Sequence, residues 1–180
     1  MNPYHMIEQL IGLERRVRQV YRLLSERPQF SPALRSLWLA MFDDETHHIV
    51  TLERSAHVPE ALEHPPTITD TVLASVEKAV ATAEAVVQNP SVTGDEALRQ
   101  ALLLEGSELN RLDDAWLQGF RITTSLLLRV LAQDLPSHIR RLVDAVHTYS
   151  TDEALHAQAD ALWASYQQQH STDAEAKATR

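Results

Sequence analysis

Two Glu-x-x-His pairs stand out along the chain, Glu45 with His48 in FDDETHHIV and Glu153 with His156 in DEALH. Residues three apart project from one face of a helix, so each pair offers a carboxylate and an imidazole side by side. Oxygen and nitrogen donors so arranged can hold a divalent metal ion. With 9 histidines and 14 glutamates in 180 residues, composition alone yields about 0.7 such pairs. A single pair therefore carries no weight.

What gives the pairs weight is their placement on otherwise apolar stripes. Counting at i, i+3, i+4 and i+7, the first stripe runs Ile7, Leu10, Ile11, Glu14, Val17, Tyr21, Leu24. The second runs Leu34, Trp38, Met41, Glu45, His48, Leu52, and the third Leu98, Leu102, Glu105, Glu108 or Leu109, Leu112, Trp116. The last runs Ile139, Val143, Val146, Tyr149, Glu153, His156, Asp160, Trp163. Each long helix thus turns acidic groups inward near its middle. Unpaired buried carboxylates are costly enough to protonate. No Lys or Arg lies on the inward stripes nearby, whereas two divalent ions carry +4 against the −4 of Glu14, Glu45, Glu105 and Glu153. Glu108 is a further carboxylate able to bridge or exchange, and the candidate metal ligands are Glu14, Glu45, His48, Glu105, Glu108, Glu153 and His156. Oxygen-rich coordination with two imidazoles suits iron or manganese better than structural zinc.

The elements that must position these groups are helices. Only 4 glycines occur, Leu, Ala, Glu, Arg and Gln abound, and no strand-like alternation stands out. Proline-containing breaks at ERPQFSPA, EHPPTITD, NPSVTGDE and QDLPSH divide the chain. They predict helices over 3–27, 32–57, 69–88, 94–123 and 135–169, with Ser31 before Pro32 and Asp134 as N-caps. The connection 58–93 is too long for a hairpin and carries its own helix. The stretch TTSLLLRVLAQ, 123–133, either extends the third long helix or forms a short one. The expected domain covers 1–170, followed by a disordered tail over 171–180 with little to bury.

Composition narrows the function. There is no cysteine, which removes disulfides, thiolate zinc sites, iron–sulfur clusters and cysteine nucleophiles. A net charge of −9 argues against nucleic acid as a partner. The basic run ERRVRQVYR, 14–22, fits the solvated face of an amphipathic helix. No segment has the length and apolarity to span a bilayer or the order of a signal peptide, so a cytoplasmic location is expected.

Glutamates and Glu-x-x-His pairs facing into a four-helix bundle resemble the ferritin-like di-iron carboxylate proteins. Within that superfamily the chain is most similar to the rubrerythrin group, over roughly Glu8 to Trp163. The residues that carry the resemblance are Glu14 with Tyr21 seven positions on, ETHH at 45–48, EGSE at 105–108 and DEALH at 152–156. It implies an all-α, ferritin-like four-helix bundle with a long crossover between helices two and three that carries an extra short helix. It also implies two iron ions, with manganese or a mixed pair as variants, reacting with hydrogen peroxide or oxygen. The expected protein is then a di-iron oxidoreductase or peroxidase, a homodimer, acting with neither nucleic acid nor membrane. Full rubrerythrins hold a cysteine-bound iron that feeds electrons; this chain lacks cysteine, so an external electron donor is implied. Alternatives are iron oxidation and storage at the same site, or a helical interaction module that metal merely braces. One spacing departs from the pattern: 31 residues separate Glu14 from Glu45, but 48 separate Glu105 from Glu153. Tyr21 and Tyr149 can pack, bond to a ligand or relay electrons. His47 is turned away from Glu45, and His5, His57, His64, His138, His147 and His170 show no ligand spacing.

Overall fold

The computed structural model describes residues 3–57, 69–107 and 135–178. Among them the chain is all helical, with no strand: α1 (Pro3–Ser25), α2 (Pro32–Ala56), α3 (Asp70–Gln88), α4 (Gly94–Glu105), α5 (Leu135–Tyr149) and α6 (Glu153–Ala178). The single helix expected over 94–123 is interrupted: α4 ends at Glu105, with Gly106 as its C-cap, its N–H bonded to the Leu102 carbonyl. Glu108, the stretch 123–133 and the N-cap Asp134 lie outside the described residues. No helix in the described part is long and apolar enough to cross a membrane.

Helix starts follow from local chemistry, because the first N–H groups of a helix need an acceptor from outside it. Ser31 Oγ accepts from Leu34 N at 3.2 Å, with proline in the first turn of α2. Thr69 does the same for Val72 N at the start of α3. At α4, Thr93 and Glu96 form a reciprocal capping box: Thr93 Oγ1 accepts from Glu96 N at 3.2 Å, and Glu96 Oε2 accepts from Thr93 N at 2.8 Å.

α1 and α2 form the most extensive pairing and run antiparallel, as the stacking of Tyr21 on Trp38 and the pairing of Arg15 with Glu53 require. α3 lies against α1 and α4 and buries Val76, Val80, Ala83 and Val87 along one face. Its link to α1 includes a two-pronged ion pair, Arg16 Nε to Glu84 Oε1 at 2.9 Å and Nη2 to Oε2 at 2.7 Å. α5 packs on α2 and α4, and α6 packs on α5 and α4. The apolar core includes Leu10, Tyr21, Leu24, Trp38, Met41, Leu98 and Leu142, each fully buried.

The single final helix expected over 135–169 is instead two helices, and the second continues to Ala178. The break has a local cause. Asp152 Oδ1 accepts from Ala154 N at 2.9 Å and Leu155 N at 3.3 Å, so it caps a new helix. Ser150 Oγ accepts from Asp152 N at 3.0 Å, and Arg99 of α4 holds the other oxygen of Asp152 at 2.7 Å. Residues beyond the break lose phase with the stripe of α5, and Tyr149, expected to face inward, is 43% exposed.

Replacing Thr93 by Ala is expected to cost about 1 kcal/mol through loss of the α4 cap. Urea unfolding should move to a lower midpoint with an unchanged slope.

Candidate metal centre

Glu14 sits mid-way along α1 among Leu10, Ile11 and Val17, and is 1% exposed. Glu45 occupies the turn of α2 between Met41 and Ile49 and is 2% exposed; His48 follows one turn on, half-buried. Glu105 closes α4 and is also buried. These four candidate ligands come together across three helices. Helix geometry explains why: each replaces an apolar residue on a face that must pack inward.

A fifth group completes the arrangement, and it is His138 of α5, fully buried. Its Nε2 lies 2.9 Å from Glu105 Oε2 and 3.6 Å from Glu45 Oε1. His48 Nδ1 lies 3.0 Å from Glu45 Oε2 and 3.9 Å from Glu14 Oε2. Two groups result, Glu14–Glu45–His48 and Glu45–Glu105–His138, each with its ligand atoms within 4.8 Å of one another. Glu45 belongs to both. The two imidazole rings are 5.6 Å apart.

Electrostatics reflect the crowding of carboxylates. Burial by itself lowers the pKa of His48, but the charge of Glu45 and hydrogen bonding to Glu14 and Glu45 outweigh it and hold the pKa well above its ordinary value. For His138, burial is likewise overridden, by Glu105, Asp44 and Glu45, and the pKa is raised to about 10. The buried Tyr21 phenol donates to Glu105 Oε1 at 2.5 Å. Burial, then the charges of Glu105 and Glu45, push its pKa well up, so it stays a neutral donor.

The donor set fits a pair of divalent cations. All five groups are oxygen or imidazole nitrogen donors, suited to iron or manganese. His138 Nε2 is within ion-pair distance of Glu105 without the alignment of a hydrogen bond.

Glu153 and His156 are not brought to this cluster. Glu153 is the exposed first residue of α6, where its charge complements the helix N-terminus. His156 Nε2 donates to the Ser150 carbonyl at 3.0 Å, and its ring lies 4.6 Å from that of His147. It serves the break between α5 and α6. Sequence reasoning set His138 aside because no glutamate stands three residues before it. Two signals were present: His138 shares a face with Leu142 and Ala145, and 33 residues separate it from Glu105 against 34 between Glu14 and His48. That near-equality removes the discrepancy of the 48-residue interval.

No protein-family model, curated protein or solved structure matches the chain.

Metal analysis of protein purified without chelator should find close to two ions per chain, lost on Glu45→Ala, reduced on His138→Ala and retained on His156→Ala. A second expectation concerns the metal-free chain. His138 has a folded pKa of about 10 against an ordinary 6.5, so its protonation favours the folded state fully below pH 6.5, and that contribution disappears as pH rises towards 10. Calorimetry should find the metal-free melting temperature falling across that window. The metal-loaded chain, which needs neutral imidazoles, should gain affinity for its ions there.

Proposed function

We propose that the chain is a dinuclear metal protein of ferritin-like, rubrerythrin type, binding two iron ions and reducing hydrogen peroxide or oxygen with electrons from an external donor. The observation that carries this reading is the sharing of Glu45 between two Glu/Glu/His groups buried among helices. With ions in both groups, Glu45 would help to hold each of them. Iron bound in such a centre supplies Lewis acidity and one-electron redox equivalents.

The chain's own residues divide the remaining work. Glu45 spans the two halves, Glu14 with His48 forms the first, and Glu105 with His138 forms the second. His48, whose side chain is 13% exposed against 0% for His138, is the less enclosed of the two imidazoles. Tyr21 holds Glu105 through its hydroxyl and keeps a proton near that carboxylate. The Tyr21–Trp38 stack, with ring centres 6.0 Å apart and both residues fully buried, places apolar surface behind the Tyr21 phenol. The absence of cysteine leaves no thiolate-bound iron in this chain to deliver electrons, which is why a separate reductant belongs to the reading.

Anaerobic loading with ferrous iron, followed by hydrogen peroxide and a reductant, should consume peroxide catalytically. Iron-loaded protein that leaves peroxide and oxygen untouched would instead be a metal-braced scaffold. Tyr21→Phe is expected to keep both ions but slow turnover by about tenfold, because outer partners of ligands tune activity on that scale. Stopped-flow peroxide consumption with parallel iron analysis measures both.

A further inference from the structure

The two imidazoles of the site are held differently. His138 splits its ring nitrogens between two tasks: Nε2 faces Glu105 and Glu45, while Nδ1 lies 2.9 Å from Asp44 Oδ2. A histidine whose Nδ1–H is taken by a carboxylate has its tautomer and ring orientation set, leaving the Nε2 lone pair for a ligand. Asp44 is itself anchored. Arg141, one turn beyond His138 on α5, donates from Nη1 to the same Oδ2. Asp44 immediately precedes Glu45 on α2, so the helix that supplies the shared carboxylate also supplies the brace for the opposing imidazole.

His48 has no such brace among the described residues. Its contacts are with Glu14 and Glu45, both members of the candidate ligand set, through Nδ1. Its side chain is 13% exposed, whereas that of His138 is fully enclosed. One half of the site is thus fully enclosed and supported from outside, and the other is slightly exposed at His48 and, among the described residues, supported only by its own ligands.

We infer that Asp44 is a positioning residue for one half of the site: through its bond to His138 it raises metal affinity at the Glu105–His138 position and leaves the Glu14–His48 position unaffected. This rests on the dinuclear reading above. Asp44 touches no metal position itself. It acts by holding the imidazole, with Arg141 holding Asp44 in turn.

The test is manganese(II) titration, with free ion followed by electron paramagnetic resonance, in paired backgrounds. Wild-type chain is titrated first; failure to bind two ions overturns the dinuclear reading and this inference together. In a Glu14→Ala background, where the Glu105–His138 position remains, Asp44→Ala is expected to weaken binding by about 10- to 100-fold. In a Glu105→Ala background, where the Glu14–His48 position remains, the same change should leave affinity unaltered. Asp44→Asn, which keeps an acceptor oxygen, should restore part of the loss, and circular dichroism melts accompany each variant. If the alanine variant does not fold, Asp44→Asn and Arg141→Gln carry the comparison, each expected to weaken only the first background. Two ions bound by wild type with no change on altering Asp44, or equal weakening in both backgrounds, would overturn the inference while leaving the dinuclear reading intact.

Discussion

The structure is organised around the mutual repulsion of carboxylates drawn into a place that water does not reach. Glu14, Glu45 and Glu105 come from three different helices and meet where each is at most 5% exposed. Charges so placed interact far more strongly than at a surface, so their neighbours must be cationic or strong donors. In the metal-free chain that service falls to the protonated rings of His48 and His138 and to the hydroxyl of Tyr21. A divalent ion bound there would have to displace those protons. The polarity of the centre is therefore part of how the helices are held in register, as well as of any chemistry done there.

The helices are held by more than the ligand cluster. Side-chain caps set the starts of α2, α3 and α4. The α1–α2 pairing rests on buried aliphatic residues and the Tyr21–Trp38 stack. The contact of α5 with α2 has a polar component as well, since Asp44 reaches across to both His138 and Arg141. A ligand cluster built on helix faces can be held more accurately than one on loops, because the backbone of each ligand is already paired.

Much of this was legible in the residue pattern. Glu14, Glu45, His48 and Glu105 declare themselves because each interrupts an apolar stripe on a helix whose beginning carries a recognisable stop or cap. Periodicity works while the helix is continuous. It failed at Ser150–Asp152, where side-chain acceptors end one helix and start another within three residues. Glu153 and His156 fall in step with the α5 stripe only if that break is ignored. His138 was only faintly legible, for a different reason: its brace, Asp44, and its ligand partner, Glu105, are distant in sequence, and the Glu-x-x-His spacing is absent on its own helix, which leaves the interval from Glu105 as the main sign.

The nearly equal intervals from Glu14 to His48 and from Glu105 to His138 give the centre an approximate internal two-fold symmetry, with one conspicuous defect. Glu45 stands three residues before His48, while the equivalent place before His138 is Leu135. Among the described residues, one carboxylate serves where a symmetric centre would have two. A pair of divalent ions there would meet three carboxylates among the described residues, against the four that would balance their charge.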